Sequence, residues 1–537
     1  QNVAVGKSAL SANTTANGNT AVGYIALLAN TTGYNNTAVG SRALDANLES
    51  ADNTAVGYNS MTANTEGHSN TAVGSKSLDA NTTADNNTAV GYHSMTVNTT
   101  GTKNTAIGSL SLDANTEADH NTALGYHSMS VNTTGAQNTA VGSQSLDANT
   151  TGDNNTAVGM ASLGGNTTGA NNTAVGTGAL DANTSGASNT AIGKGSLSAN
   201  QTANENTAVG YNALAVNIAA NNTAVGSLAL DANEGGTANT AVGKSALTTN
   251  VSANENTAIG YNTLAVNETG AYNTAVGSAA LEANTTASNN TAVGYAALDA
   301  TLIGGQNTAV GRSALGTTTS SNNTAVGHSA LGINVAGADN TAVGAYALDA
   351  NTSGENNTAV GKSALSANTT GLWNVAVGTA ALLANTTGYS NTAVGKSALD
   401  ANTEGFWNVA VGLGSLGTNT TGDYNVAVGN EALDANTAGN SNTAVGRSAL
   451  GTNTTASNNT AVGQEAIAAN TTGTSNTAVG YNAMATNTIA SYNSAFGVQS
   501  LYANTTGVSN TAIGHTALYA NTTGSNNVAS GVQALTA

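Results

Sequence analysis

One short motif recurs along the whole chain and constrains its fold more than any other feature. Asn-Thr-Ala-Val-Gly, in some copies slightly varied, begins 32 times between Asn2 and Asn527. The spacing from one copy to the next is 17, as from Asn53 to Asn70, except for two steps of 16 that begin at Asn206 and Asn307. A fixed short period is typical of a solenoid, in which each repeat forms one coil. We therefore expect an all-β chain in which residues 1–537 form a single continuous domain of 32 stacked coils.

The pattern within one coil predicts two short strands and two turns. We number coil positions from the first asparagine, so Thr-Ala-Val at positions 2–4 is typical of a strand that ends at the glycine of position 5. A second strand is predicted at positions 8–11, where leucine at 9 and alanine at 11 share one face. The long turn Asn-Thr-Thr-Gly fills positions 12–15. Two strands and two turns per coil describe a flattened parallel β-roll.

Glycine and asparagine hold fixed positions in the coil. Glycine occupies position 5 in all 32 coils, which indicates a positive φ or a close approach between coils. Asparagine occupies position 12 of every complete coil except at Thr301 and Thr318. Stacked asparagine side chains can hydrogen-bond along a ladder, and we expect this structural role. The alternative is N-glycosylation of the Asn-x-Thr tripeptides that the repeat creates.

The first strand is apolar on both of its faces. Position 3 is alanine in every coil, and position 4 is Val, Ile, Leu or Phe in all but the last, where Ser530 stands. Adjacent strand residues point to opposite faces, so one face carries an alanine column and the other a valine column. A two-sheet roll buries only one of these faces, and a strand that is apolar on both faces is normally covered on both. The pattern therefore predicts a partner, for which further copies of the chain are the simplest candidate.

Two stretches of coils depart from the regular pattern, at residues 206–221 and 290–322. Both 16-residue coils lose their residue from the long turn, where deletions are tolerated best.

Aspartate recurs at position 10 of ten coils, and no two of these coils are neighbours. We expect these aspartates to be solvated and about 9 to 10 Å from one another, with a calcium ladder as the functional alternative. They are Asp45, Asp79, Asp113, Asp147, Asp181, Asp231, Asp299, Asp349, Asp400 and Asp434.

Composition excludes several classes of function. Only 7 % of the residues are charged and the net charge is −18, which argues against binding to nucleic acid or to anionic lipid. Cysteine is absent, so disulfides and thiolate metal sites are excluded. The scattered histidines build no catalytic or metal-binding constellation, and we expect no enzyme activity, cofactor or metal. No apolar run is long enough to insert into a membrane. The composition favours an extracellular or cell-surface location, and we expect any export signal, cap or anchor to lie outside this sequence.

One local band of apolar side chains is a candidate binding surface. Position 17 holds Trp373, Trp407 and Tyr424, and each is followed by valine instead of threonine at position 2 of the next coil. Leu372 and Phe406 at position 16 complete the band. Local loop packing explains the band most simply. Aromatic faces are also common where proteins bind carbohydrate or other surfaces.

The repeat resembles a known family of surface proteins. Asn-x-Ala-Val/Ile-Gly followed by small residues is similar to the head repeat of YadA-type trimeric autotransporter adhesins, and similar arrays occur in phage-tail-fibre-like proteins. The resemblance implies a left-handed parallel β-roll in which three chains pack their first-strand sheets around a common axis. The present coil is longer than the short head repeats of those adhesins. Since the family's binding residues have no fixed motif here, the resemblance assigns no site residue.

Three functions from different classes fit these patterns. The first is an extracellular structural fibre or adhesin head, a homotrimer that attaches to a host surface, an abiotic surface or glycans. The second is a tail fibre of a phage or phage-like particle. The third is an ice-binding solenoid, because threonine and valine share one flat face of the first strand. Ice binding needs that face free, whereas trimerisation covers it.

Overall fold

A computed structural model describes residues 1–536 of the chain. The chain divides into two compact units, Gln1–Thr269 and Gly270–Ala537. Each unit is a parallel β-solenoid with the repeat length expected from the sequence, which confirms the predicted all-β solenoid. One continuous domain across residues 1–537 stays a prediction.

Every coil contributes one strand of three residues, which begins at position 2 and ends at position 4. In the first unit the strands are β1 (Val3–Val5), β2 (Thr20–Val22), β3 (Thr37–Val39), β4 (Thr54–Val56), β5 (Thr71–Val73), β6 (Thr88–Val90), β7 (Thr105–Ile107), β8 (Thr122–Leu124), β9 (Thr139–Val141), β10 (Thr156–Val158), β11 (Thr173–Val175), β12 (Thr190–Ile192), β13 (Thr207–Val209), β14 (Thr223–Val225), β15 (Thr240–Val242) and β16 (Thr257–Ile259). In the second unit they are β17 (Thr274–Val276), β18 (Thr291–Val293), β19 (Thr308–Val310), β20 (Thr324–Val326), β21 (Thr341–Val343), β22 (Thr358–Val360), β23 (Val375–Val377), β24 (Thr392–Val394), β25 (Val409–Val411), β26 (Val426–Val428), β27 (Thr443–Val445), β28 (Thr460–Val462), β29 (Thr477–Val479), β30 (Ser494–Phe496), β31 (Thr511–Ile513) and β32 (Val528–Ser530).

Within each unit, consecutive strands pair in parallel and in register. Alanine lies over alanine at position 3, as Ala157 lies over Ala174, and the threonine and valine positions stack in the same way. The short coils keep this register, since Ala208 still pairs with Ala224 and Ala309 with Ala325. Positions late in the coil also stay in step, since Asn233 Nδ2 donates to Asn217 and Thr317 pairs with Ile333. The missing residue is therefore absorbed after these positions, which confirms that the deletions fall in the long turn.

The strand buries its alanine face and leaves its valine face outward. The alanines of position 3 are fully buried in the interior coils, for example Ala55 and Ala157. Threonine at position 2 and valine at position 4 are only partly covered. Alternation along the strand thus places the small residue in a narrow core.

The predicted second strand at positions 8–11 is wrong. These residues form turns, and positions 7 and 9 have left-handed backbone, as at Asn59 (φ 50°) and Met61 (φ 56°). A left-handed residue redirects the chain, so side chains no longer alternate between two faces. Ser60 and Met61, at adjacent positions 8 and 9, are consequently both fully buried.

Hydrogen bonds between coils hold this turn segment in place. The Met61 N–H donates to the Ser77 carbonyl of the following coil at 3.0 Å, whereas the Asn59 N–H donates to the Ser41 carbonyl of the preceding coil at 3.1 Å. Left-handed backbone costs about 1–2 kcal/mol for a residue other than glycine. The buried leucine or methionine at position 9 and these hydrogen bonds offset that cost.

The glycine of position 5 satisfies both predicted reasons for its constancy. At Gly57, φ is +143°, and an added Cβ would lie 2.2 Å from the Gly74 carbonyl oxygen of the next coil. The same close approach recurs along both units, as at Gly361, where the distance is 2.5 Å to the Gly378 oxygen. Only glycine fits here without displacing the neighbouring coil.

Two columns of buried asparagine tie the coils together, which confirms the predicted ladder. At position 12, Asn132 Nδ2 donates to Asn115 Oδ1 of the preceding coil at 3.2 Å and to the Gly135 carbonyl of its own long turn at 2.9 Å. At position 1, Asn121 Nδ2 also donates to the Gly135 carbonyl, at 2.9 Å. The position 15 carbonyl of a regular coil therefore accepts two asparagine amides. Satisfied amides of this kind are compatible with complete burial.

Candidate functional site

Each unit presents a continuous outward column of threonine and valine along its strands. Away from the terminal coils, the most exposed position 4 side chains range from 36 % exposed at Val377 to 46 % at Ile513. The columns are in register because the strands beneath them are paired without a shift. A continuous apolar column on the outside of a fold is typical of an interaction surface.

A cluster of four aromatic rings lies at the corner formed by positions 16 and 17 of three neighbouring coils in the second unit. Tyr389 and Phe406 stack with ring centroids 4.8 Å apart and planes inclined by 8°. Trp407 lies against Phe406 at 5.5 Å and against Tyr424 at 4.9 Å. Tyr389, Phe406, Trp407 and Tyr424 are hereafter the aromatic cluster. Ring pairs at these separations stabilise one another by about 0.5–1.5 kcal/mol beyond the area that they bury.

The structure brings together some of the predicted band and not all of it. Phe406, Trp407 and Tyr424 belong to the cluster, whereas Trp373 makes no ring contact with it among the described residues. Ser390 occupies position 17 in the coil between Trp373 and Trp407, and Leu372 lies half-buried beside Trp373 at position 16. Trp373 and Trp407 are 59 % and 48 % exposed. The outer surface of the band therefore remains open to solvent.

Sequence reasoning missed Tyr389. It lies one full period before Phe406, so the period itself places the two side chains at the same corner of adjacent coils. The predicted band was built on aromatic residues at position 17, and the coil of Tyr389 carries Ser390 there. The signal was nevertheless present in the repeat.

Backbone hydrogen bonds fix the coils that carry the cluster. The Trp407 N–H donates to the Tyr389 carbonyl at 3.1 Å, and the Tyr424 N–H donates to the Phe406 carbonyl at 3.1 Å. Position 17 is left-handed at both residues, with φ of 54° at Trp407 and 59° at Tyr424. The two side chains are thus held on a rigid corner and directed away from the core.

One carboxylate borders the aromatic cluster. Asp423 Oδ1 accepts a hydrogen bond from the Phe406 N–H at 2.9 Å. Partial burial raises the pKa of Asp423, and the hydrogen bond from Phe406 opposes that rise. The cluster therefore combines aromatic faces with one acceptor at its edge, a combination suited to sugar hydroxyls and ring faces.

The position 10 aspartates are less solvated than we predicted. Most are half-buried, because positions 7, 10 and 11 of stacked coils border a shallow groove. Burial raises the pKa of six of them, and like-charged Glu431 and Asp400 raise that of Asp434 further. Hydroxyls of neighbouring coils donate to some of these carboxylates, as Thr62 does to Asp79. The six with a raised pKa are Asp181, Asp231, Asp299, Asp349, Asp400 and Asp434.

Comparison with known proteins assigns no relationship. No protein-family model matches the sequence, and no curated protein matches it. Over residues 1–536, the structure contains no helix long and apolar enough to cross a bilayer.

Proposed function

We propose that this chain is a non-catalytic structural protein that assembles with copies of itself into an extracellular fibre for surface attachment. The observation that carries the proposal is the in-register Thr–Val column, which faces outward and is only partly covered along the strands of each unit. Three chains packed around a common axis, as in the YadA-type heads that the repeat resembles, would cover this face. A homotrimeric, left-handed β-roll is the assembly that we propose.

The exposed column favours self-association for a physical reason. Transfer of apolar surface from water contributes about 25 cal/mol per Å², and the same few side chains repeat in every coil. A second copy carries the same column at the same spacing, so each coil of one chain can meet a coil of the other. Many weak identical contacts then add to a stable interface.

Substitution of the strand face tests self-assembly. Val141, Val158 and Val175 lie at position 4 of adjacent coils, and their triple replacement by aspartate should dissociate the assembly or unfold these coils. Unpaired charges in an apolar interface cost several kcal/mol each. The molar mass of the native protein and of the variant would be measured by analytical ultracentrifugation.

The same coils offer a matched control. Thr134, Thr151 and Thr168 are exposed at position 14, where other coils carry glutamate at Glu66 and Glu117. Their replacement by aspartate adds the same charge in the long turn, outside the strand face, and should leave the mass unchanged. A wild-type protein that is monomeric at micromolar concentration, or a valine variant that keeps a trimeric mass, would refute assembly through this face.

Attachment is proposed to be multivalent, with weak binding repeated along many coils. Removal of whole coils should then weaken attachment gradually. The aromatic cluster is the place where a discrete site could replace this behaviour. Replacement of its rings by Thr at position 16 and Asn at position 17 introduces residues that other coils carry there. If this variant alone loses attachment to cells, glycans or solid surfaces, and truncations elsewhere have no effect, the multivalent model is wrong.

Ice binding is a second candidate that one observation favours. Threonine and valine point outward from the same strands in regular columns, which is a flat array of hydroxyl and methyl groups. This role requires an open strand face. A folded, monomeric protein that shows thermal hysteresis would support it and would exclude the trimer, whereas a trimer without thermal hysteresis would support the fibre. A phage-like tail fibre shares the proposed assembly and differs in what it is attached to.

A further inference from the structure

A second set of exposed aromatic side chains lies at position 6 of the first unit. Tyrosine occupies this position in every second coil over residues 24–126, and serine occupies it in the coils between them. The tyrosines are 52 % to 57 % exposed. The four residues, called the tyrosine row below, are Tyr24, Tyr58, Tyr92 and Tyr126.

The spacing of the tyrosine row is set by the coil stack. Neighbouring parallel strands lie about 4.8 Å apart, so tyrosines two coils apart are separated by about 9.6 Å. The period is uninterrupted, because neither of the two short coils falls within this stretch. Outside this stretch the tyrosines of position 6 are irregularly spaced, as between Tyr211 and Tyr261. A regular row of rings is therefore a local property of these coils.

Hydrogen bonds make the row rigid. The carbonyl of each position 6 residue accepts the position 7 N–H of the next coil, at 3.0 Å from Arg42 to Tyr24 and at 2.9 Å from Lys76 to Tyr58. The serine coils continue the same ladder, with 3.1 Å from His93 to the Ser75 carbonyl. A site whose backbone is already ordered loses little conformational entropy when a ligand binds.

Two of the four rings have a histidine beside them. His93 contacts the Tyr92 ring with centroids 4.3 Å apart, and His127 contacts Tyr126 in the same way at 4.4 Å. Serine at position 6 of the intervening coils leaves the space between rings open and supplies a hydroxyl. Aromatic faces separated by small hydroxyl side chains and flanked by hydrogen-bonding groups are suited to sugar rings.

We propose that the tyrosine row binds an extended, uncharged β-1,4-linked polysaccharide whose chain runs along the coil stack. In such a polysaccharide, alternate sugar rings are rotated by half a turn, so every second ring presents the same face. The length of two linked sugars is close to the two-coil spacing of the tyrosines, and each tyrosine then stacks on an equivalent sugar face. The net charge of −18 disfavours an acidic polysaccharide.

This inference deepens the proposed attachment function by giving it a ligand class, and it does not depend on self-assembly. The row lies at position 6, whereas the proposed trimer interface lies at positions 2 and 4. Binding and molar mass therefore report on separate surfaces. A protein that attaches to cells or solid surfaces and binds no β-1,4-glycan would overturn this inference and leave the attachment function intact.

The test measures depletion of the full chain from solution by insoluble cellulose and by insoluble chitin, with amylose, an α-1,4-linked coiled glucan, as the comparison polymer. The wild type is expected to bind cellulose, chitin or both, and not amylose. Comparison of the two β-1,4-linked polymers identifies the preferred sugar. Equal binding to amylose would show that the row does not select an extended chain and would overturn the proposal.

Two variants separate ring number from ring spacing. Replacement of all four tyrosines by serine copies the intervening coils and should weaken binding by about 100-fold, the scale expected when a multivalent contact is lost. The second variant moves two rings by one coil each, through Tyr58→Ser with Ser75→Tyr and Tyr126→Ser with Ser143→Tyr. It keeps four rings at the wrong spacing and should bind as weakly as the first variant. Binding equal to wild type in either variant refutes the proposal.

The aromatic cluster of the second unit is the internal control. Its replacement by Thr and Asn should leave binding to β-1,4-glycans within about twofold of wild type, because the tyrosine row is untouched. If the cluster variant loses binding while the four-serine variant keeps it, the sugar site belongs to the cluster. Circular dichroism and molar mass should match those of the wild type in every variant.

Discussion

Both 16-residue coils lack one residue of the long turn, and their hydrogen bonds accommodate the loss in different ways. The coil at residues 206–221 lies in the first unit and the coil at residues 307–322 in the second. In both, the long turn is one residue shorter, and the position 15 carbonyl belongs to Ala219 or to Ser320. The first coil keeps asparagine at position 12, as Asn217, whereas the second carries Thr318.

In the first short coil, asparagine competes for one carbonyl. Asn217 Nδ2 donates to the Ala219 carbonyl at 2.6 Å, and Asn222 Nδ2 donates to it at 3.3 Å. Asn206 Nδ2, which would share this carbonyl in a regular coil, has no partner. Asn217 also fails to reach the preceding coil, so Asn200 Oδ1 is unpaired. Both atoms are buried, and a buried polar group without a partner costs about 1–3 kcal/mol.

In the second short coil, the carbonyl serves only one amide. Asn307 Nδ2 donates to the Ser320 carbonyl at 2.9 Å, while the Thr318 hydroxyl pairs with the Ser320 hydroxyl at 2.9 Å. The preceding coil also carries threonine, and Thr301 Oγ1 is the group without a partner there. A 16-residue coil can thus satisfy only one of the two asparagine columns. Threonine at position 12 removes the amide that could not be satisfied.

The largest loss of stability is expected at the glycine of position 5, a residue that both short coils share. Gly210→Ala and Gly311→Ala should each destabilise their coils by about 3 kcal/mol or more, because alanine is strained at positive φ and its Cβ meets a carbonyl. The added Cβ would lie 2.4 Å from the Gly226 oxygen and 2.5 Å from the Gly327 oxygen. Hydrogen exchange of strand amides in the flanking coils measures the loss.

Gly178→Ala is the matched control for these glycines. Gly178 is at position 7 with φ of +61°, and an added Cβ meets nothing within 4 Å. Other coils place residues with side chains at this position, so the cost should be limited to about 1–2 kcal/mol, that of a left-handed residue. Equal losses at Gly178 and Gly210 would contradict the role of the close coil approach.

Asparagine-to-threonine substitution should separate the first short coil from a regular one. In a regular coil, Asn132→Thr removes the amide that pairs with Asn115 and the acceptor for Asn149, and should cost about 2 kcal/mol. Asn217→Thr also removes the acceptor of Asn233 Nδ2, but it releases the Ala219 carbonyl to Asn206. It should therefore cost about 1 kcal/mol less than Asn132→Thr. Hydrogen exchange in the two coils measures both values. Equal losses would show that the competition for the carbonyl has no energetic weight.

Restoring the missing residue in the first short coil should stabilise it, by less than the substitutions above destabilise their coils. A threonine inserted between Ile218 and Ala219 returns the position 15 carbonyl to its regular distance, so both Asn206 and Asn217 can reach it. We expect about 1 kcal/mol of stabilisation, read as slower hydrogen exchange around Asn206. The same insertion between Thr319 and Ser320 should give no gain, since Asn307 is already paired. A gain in the second coil as large as in the first would argue against this account.

The smallest effect is expected in the pH dependence of stability. It arises from one aspartate in the coil next to each short coil. Burial raises the pKa of Asp231 and Asp299 above the ordinary value of an aspartate, and Glu282 raises that of Asp299 further. A raised pKa in the folded state means that stability is lost as pH rises through that pKa and is fully present below the unfolded value.

Thermal unfolding of asparagine variants measures this effect. Asp231→Asn and Asp299→Asn should each raise the unfolding temperature relative to wild type at pH 7, and the difference should shrink as the pH approaches 3. The larger change is expected at Asp299, because its repulsion from Glu282 adds to its burial. A variant that is less stable than wild type at pH 7 would show that the carboxylate makes favourable contacts that outweigh desolvation.

Features that depend on the stacking of identical coil positions could be predicted from the sequence, because the repeat shows which positions stack. Register, the opposed alanine and valine faces, the glycine of position 5 and the asparagine ladder all follow from one residue type held at one position. The second strand was mispredicted because left-handed backbone at Asn59 and Met61 has no glycine to signal it. Hydrogen bonds to the coils on either side select that conformation, and such bonds are not visible in the pattern of a single coil.

The candidate sites were only partly predictable for a related reason. Trp407 and Tyr424 stand out from the repeat as single departures, while Tyr389 becomes notable only when it stacks on Phe406. The tyrosine row is visible in the sequence as a period of two coils. Its exposure and rigid backbone needed the structure, since position 6 could equally have faced the core.

The hydrogen bonds at positions 7 and 9 point in opposite directions along the stack, so the two sides of a coil are different and complementary. A coil can accept an identical neighbour on either side, but only in the head-to-tail sense. When a coil or a pair of coils is duplicated within the gene, the added coils make the same contacts as the existing ones. The near-identical residues 87–120 and 121–154 illustrate such a duplication. The number of coils can then vary in evolution, and selection can act on it separately from the stability of each coil.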